Sequence, residues 1–195
     1  YGDGNSYNLP TQDLYDSFEY RDPRANATCL NIDQFISDNA PGTSYNIGGG
    51  GHTGFYNNKY IKSAEEMANG IPDNDLTSGV NYRVIRYADI LLMAAEAFNE
   101  IGDTAIAIQH LNTVRNRVGL YLHQIDISQA PWNNLTSSQN SIRELIYKER
   151  RSELSCEGHR FFDLVRTGKA ADEIIGFVVG KHELFPVPQD EIDLA

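Results

Sequence analysis

Between residues 82 and 119 the apolar positions return every three or four residues. Val84, Tyr87, Ala88, Leu91, Ala95, Phe98 and Ile101 make one such series, the spacing of one face of an α-helix. Ile85, Ile90, Leu92 and Met93 widen that face, which predicts a helix over 82–101 buried on most sides. Gly102 breaks the period, and Asp103 is a residue type that caps a helix start. Beyond it Ala107, Leu111, Val114 and Val118 form a second stripe that stops at Gly119. Two helices joined by so short a turn pack as an antiparallel hairpin.

The pattern changes character over 148–166. Glu149, Arg150, Arg151, Glu153, Glu157, His159, Arg160, Asp163 and Arg166 alternate there with Leu154, Phe161, Phe162, Leu164 and Val165. A solvated helix does not need so many aromatics, and a buried one does not tolerate so many charges unless they pair. The stretch therefore predicts a half-buried charge network at a helix–helix contact. Arg86, Asp89 and Glu96, a polar stripe on the first helix, are its natural partners. Glu149 and Glu153 share a face, and Arg150 is within pairing reach of Glu153. Gly158 is expected to stop this helix. His159–Arg166 reads as a second short helix, with Phe162 and Val165 on one side and Gly168 at its end.

Residues 1–81 are loop-rich. Pro10-Thr11-Gln12 opens a short helix with Leu14 and Phe18 on its apolar face, and Asp22-Pro23-Arg24 is read as its end. The four glycines Gly48–Gly51 are neither preceded by a strand nor followed by Gly-Lys-Ser/Thr, so they read as a flexible loop and not as a phosphate cradle. Ser63 and Glu66 fit a capping box for a helix closing near Gly70. A further loop spans 120–137. Charged helices and a Pro-rich terminal segment fill 138–195.

Composition narrows the classes. With 27 acidic and 16 basic residues the net charge is −11, which repels phosphate backbones and argues against nucleic acid as a partner. At 41% hydrophobic residues the chain can fold around a core. No apolar run approaches transmembrane length. The start at Tyr1, without a start Met or signal segment, suggests a fragment of a longer protein.

Cys29 and Cys156 are read as two buried free thiols or as a single disulfide. Neither cysteine, and none of His52, His110, His123, His159 and His182, has chelating spacing, so no metal site and no cofactor is expected. Glu149 and Glu153 could suggest a glycosidase pair. Two carboxylates one turn apart on one helix point the same way, however, and do not flank a bond from opposite sides. Neighbouring Arg150 and Arg151 would also favour their ionised forms, the wrong direction for a general acid. No catalytic residue is assigned.

The helix pair has the signature of a tetratricopeptide unit, with Ala95, Phe98, Gly102, Ala107 and Leu111 in its key places. One unit cannot bury its own face, so further repeats are expected before Tyr1. More specific are five separated motifs in order. They are Pro10-Thr11-Gln12 with Asp22-Pro23-Arg24; Thr53-Gly54-Phe55-Tyr56 with Lys59-Tyr60; Arg86 to Ala97 with Leu111 to Leu120; Glu149 to Arg166; and Leu184-Phe185-Pro186-Val187-Pro188-Gln189-Asp190-Glu191-Ile192. Together they resemble the C-terminal half of the SusD/RagB family. The resemblance implies an all-α fold in which tetratricopeptide-like helix pairs support long irregular loops. It further implies a binding protein and not an enzyme: an outer-membrane, cell-surface lipoprotein that captures oligosaccharide, or peptide, for a SusC-like TonB-dependent transporter. The lipid anchor lies outside this chain.

Given a glycan ligand, aromatic rings on loops are the expected contacts, since loops on a rigid scaffold commonly carry binding sites. The loops hold Tyr1, Tyr7, Asn8, Tyr45, Phe55, Tyr56, Tyr60 and Trp132 with Asn133 and Asn134. Tyr7, Tyr45, Tyr56 and Trp132 are the candidate ligand contacts. Each could equally pin its loop to the scaffold. Two other readings stand beside glycan capture: a polysaccharide hydrolase, and a tetratricopeptide-type protein–protein scaffold.

Overall fold

The computed structural model describes residues 8–44, 53–61, 81–120 and 138–193. Its order begins with α1 (Gln12–Asp16), α2 (Arg24–Thr28), β1 (Cys29–Asn31) and α3 (Ile32–Asn39). β2 (Phe55–Asn57) and a single 3-10 turn (Asn58–Tyr60) follow. The main helices are α4 (Tyr87–Glu100), α5 (Thr104–Asn116) and α6 (Gln139–Glu153). Three short helices close the order: α7 (Arg160–Arg166), α8 (Ala170–Glu173) and α9 (Gln189–Asp193). The chain falls into two compact units, residues 1–157 and 158–195.

The first unit is built on α4, α5 and α6. Leu91, Leu92 and Ala95 of α4, Ala107, Leu111 and Val114 of α5, and Ile142, Leu145 and Ile146 of α6 form one buried cluster with Leu154. Fully burying one such leucine contributes about 1.5–3 kcal/mol. At the far end, Asn99 and Gln139 latch α4 to α6 by two reciprocal bonds. Asn99 Nδ2 donates to the Gln139 carbonyl at 2.9 Å, and Gln139 Nε2 to the Asn99 carbonyl at 2.8 Å.

The α4–α5 turn explains itself locally. Gly102 takes φ +89°, its N–H reaches the Asn99 carbonyl, and the Asp103 N–H reaches the Phe98 carbonyl at 2.8 Å. This is the paired closure that a left-handed residue just past a helix end permits. The Asp103 carboxylate then accepts from the Ile106 N–H at 3.2 Å and starts α5.

Several expectations need correction. The first helix begins at Tyr87 and not at residue 82; Val84 and Ile85 are exposed. Arg86 holds extended backbone at the helix start, because its side chain is committed elsewhere (below). The helix is also less enclosed than its composition suggests. Ile90, Met93 and Ile101 stay exposed, since α5 and α6 cover only the face carrying Leu91, Leu92 and Ala95. The charged helix α6 ends at Glu153, five residues before Gly158. The intervening turn includes Cys156 at φ +62°, and Gly158 itself takes φ +85°. The first short helix closes at Asp16, where the Ser17 hydroxyl donates to the Leu14 carbonyl at 2.7 Å. Asp22-Pro23-Arg24 therefore ends nothing; Pro23, which has no N–H to satisfy, starts α2.

A small antiparallel ribbon interrupts the helical pattern. Cys29 stands opposite Asn57 and Asn31 opposite Phe55. Among the described residues the regular structure is otherwise helical, as the all-α expectation has it. The capping box at Ser63 and the glycine run Gly48–Gly51 lie outside the described residues.

In the second unit, α7 is capped by a turn in which the Lys169 N–H reaches the Leu164 carbonyl at 2.9 Å. Leu164 and Ala170 are buried, and Phe161, Phe177 and His182 form a chain of ring contacts. Phe162, expected on the apolar side of α7, is exposed, and Leu164 takes the inward place.

Candidate functional site

On α6 the buried face runs through Ile142, Leu145, Ile146, Glu149 and Glu153, a continuous three-and-four spacing. Its first half is apolar and its second half acidic. Glu149 accepts from Arg24 of α2 and, at 2.7 Å, from Arg115 of α5. One turn on, Glu153 accepts from Arg24 at 2.9 Å, Arg86 at 2.6 Å and Arg117 at 2.8 Å. Glu157 in the following turn takes Lys59 at 2.6 Å and Arg86 at 2.7 Å. Asp22 holds the other prong of Arg24, and Glu19 the other prong of Arg115. Arg150 pairs separately with Asp89 at 2.9 Å. Arg24, Lys59, Arg86, Arg115 and Arg117 thus face Glu19, Asp22, Glu149, Glu153 and Glu157, with the Lys148 ammonium near Glu19, Arg115 and Glu149, so every cation of the cluster has a carboxylate close by.

This pairing is what lets the charges stay inside. Burial pushes the Glu153 carboxyl up, but hydrogen bonds from Arg86 and Arg24 outweigh it and hold the group below its ordinary range. Glu157 behaves the same way, with Arg86 and Lys59 as donors. Burial lowers Lys59, and the hydrogen bond to Glu157 returns only part of the loss. Burial also opposes the charge on Arg24, Arg86 and Arg115, yet their carboxylate partners leave all three above the ordinary arginine value.

The resolved shifts of Glu153 and Glu157 run toward the charged state. Glu153 and Glu157 are held ionised by cations, whereas a general acid needs a raised pKa. The cluster instead works as a clamp, fixing α2, the 3-10 turn, the Arg86 segment and α5 against α6. Among the described residues no group of three His, Cys, Asp or Glu side chains could hold a metal ion.

Above this frame lie aromatic rings. Tyr60 and Tyr82 stack with centroids 5.8 Å apart, and the Arg83 guanidinium lies 5.3 Å from the Tyr60 ring. The Tyr82 hydroxyl donates to the Glu157 carbonyl at 2.9 Å, yet its side chain remains exposed. Tyr20 is exposed too, with Arg21 against its ring at 5.1 Å. Phe55 is buried and stacks on Tyr15 at 5.0 Å, so that ring pins its loop.

The family model described as "SusD family" matches residues 1–184. This chain belongs to the SusD family. Among curated relatives, SusD-like protein P2 of Formosa agariphila is 28% identical over 98% of the chain and 39% of its own length. SusD-like protein P38 of the same organism is 38% identical over 51% of the chain and 19% of its own length. Among solved structures, surface glycan-binding protein A from Bacteroides thetaiotaomicron superposes with TM-score 0.74 at 28% identity, covering 94% of this chain and 38% of that one. The structure of that protein in complex with laminarihexaose also gives TM-score 0.74, at 26% identity, covering 97% and 42%. The chain spans about two fifths of the length of the solved relatives it matches.

Within this SusD-family fold, Tyr56 sits half-buried in β2 opposite Leu30. Tyr7, Tyr45 and Trp132 lie outside the described residues, so the structure brings no set of the four candidates together. Sequence reading correctly paired the α6 charges with Arg86 and Asp89 but missed Asp22, Arg24, Lys59, Arg115 and Arg117. Their signal was present: Asp22 and Arg24 lie in one of the separated motifs, Lys59 in a second, and Arg115 and Arg117 in a third, and those segments meet at α6. Tyr82 was missed because it was read as part of a helix.

Proposed function

We propose that this SusD-family chain is the C-terminal portion of a cell-surface lipoprotein of the outer membrane. It captures an oligosaccharide and delivers it to a SusC-like TonB-dependent transporter. The observation that carries the reading is the likeness to the laminarihexaose complex of surface glycan-binding protein A over 97% of the chain. The charge clamp supports it physically. It fixes the described segments that carry Glu19, Asp22, Lys59 and Arg86, and preorganised segments bind with less loss of conformational freedom. Tyr7, Tyr45, Tyr56 and Trp132 are the proposed ligand contacts, by stacking on sugar rings. The chain binds without hydrolysing, because the two carboxylates of the clamp with resolved shifts are driven toward the ionised state.

Isothermal titration calorimetry against a panel of oligosaccharides that includes laminarihexaose tests this. Heat of binding with no new reducing ends is the expected result. Product release abolished by a single Glu or Asp substitution would establish a hydrolase instead. Folded protein that binds none of the panel would favour the protein–protein scaffold.

A further inference from the structure

Cys29 and Cys156 are remote in sequence, and a chain of contacts links the segments that carry them. Cys29 opens β1 opposite Asn57 of β2. Asn57 Oδ1 accepts from the Lys59 backbone N–H at 3.0 Å, which turns the chain just after the strand. Lys59 Nζ then donates to the Glu153 carbonyl at 2.8 Å and to Glu157 Oε1 at 2.6 Å, bracketing the turn that contains Cys156. A second tie runs beside it: Arg24, on the helix that leads directly into Cys29, bonds Glu153 at 2.9 Å. On the other side Asn8 Nδ2 donates to the Cys156 carbonyl at 2.9 Å. Both cysteines are free thiols here, Cys29 buried and Cys156 half-buried.

We propose that Cys29 and Cys156 are a disulfide-forming pair, a staple that ties the α2–β1 segment to the end of α6 when the protein folds in an oxidising compartment. Only the compartment rests on the surface location proposed above; the pairing rests on the contacts just given. Burial pushes the Cys29 thiol up to about 12, with the neighbouring Cys156 adding to it and the Lys59 ammonium opposing it. Burial raises Cys156 as well, and Lys59 again opposes. In the closed fold neither sulfur is a ready nucleophile, because the thiolate is the attacking form. The bond therefore closes during folding, before the contacts seal. One thiolate attacks a disulfide donor such as oxidised glutathione and releases one glutathione thiolate. The second cysteine thiolate then attacks the mixed disulfide and releases the other. The donor gains two electrons, and the cysteines lose two electrons and two protons.

The test uses the full chain, reduced and unfolded, then refolded in a glutathione redox buffer, alkylated and digested for peptide mapping. The expected product is a linked peptide pair containing Cys29 and Cys156, with little free thiol. Reductant should lower the melting temperature of this material by several degrees, because the bond closes a long loop. The same reductant should leave Cys29→Ala and Cys156→Ala unmoved. Native refolded protein in which both cysteines are alkylated, or carry glutathione, overturns the proposal. The peptide map needs no variant, so a folding defect in either substitution does not blur the result.

Discussion

Arg115 Nη1 donates to Glu149 Oε2 at 2.7 Å across the contact between α5 and α6, with both side chains almost fully buried. The same arginine grips Glu19 through Nη2 at 2.9 Å. One guanidinium thus joins two long helices to the loop after α1, where a pair of aliphatic side chains would join only the helices. Such a buried pair is a poor source of net stability but a costly one to break, because the surviving partner is left charged and without a counterion.

Glu153 is the member whose loss should be felt most. It receives three arginines; Arg24 keeps Asp22 and Glu149 and Arg86 keeps Glu157, but the loss leaves the cluster with one uncompensated positive charge. Glu153→Ala should lower stability by roughly 3–5 kcal/mol. Glu153→Gln, which keeps the acceptor oxygen, should cost less. Urea denaturation followed by circular dichroism measures both. An unchanged midpoint for the alanine variant would mean that the clamp contributes nothing.

The clamp also sets the acid limb of stability. Glu153 and Glu157 have folded-state pKa values below their unfolded ones. Their contribution is therefore complete above the ordinary carboxylate range and lost as pH falls from there through the depressed folded values. Melting temperature should hold near neutrality and drop through that acidic window. Glu157→Gln should show a shallower drop, and parallel curves for the two proteins would contradict the assignment.

Gly102 offers a purely conformational test. Its φ is +89°, and a Cβ built there would meet nothing within 4 Å. Gly102→Ala should therefore cost only the left-handed backbone penalty, about 1–2 kcal/mol, with no steric addition. A larger loss in thermal unfolding would point to a clash the local geometry does not contain.

For ligand binding, Trp132→Ala and the three variants Tyr7→Ala, Tyr45→Ala and Tyr56→Ala are compared by calorimetry with a glycan that the wild type binds. At least one should weaken binding by roughly 2 kcal/mol, the loss typical of an aromatic anchor. Four folded variants with wild-type affinity would move the site off these loops.

The sequence alone determined the helical core, because Leu91, Ala95, Ala107, Leu111 and Val114 carry their burial in a period that any packing partner must respect. Gly102 and Asp103 likewise determined the turn, since its hydrogen bonds are local. The clamp on α6 was half legible. A run of charges among apolar residues demands partners, but charge alone does not say which. Arg24, Lys59 and Arg115 lie tens of residues from Glu149 and Glu153, and periodicity carries no distance between segments. Only the tertiary structure decided that Arg86 would leave the helix register to serve Glu153 and Glu157, and that α4 would therefore begin at Tyr87. It also decided which aromatics are pins and which are open. Phe55 and Tyr82 are both aromatic residues outside the helices, yet one is buried on Tyr15 and the other is exposed on Tyr60. The difference comes from what each ring packs against, which hydrophobicity does not encode.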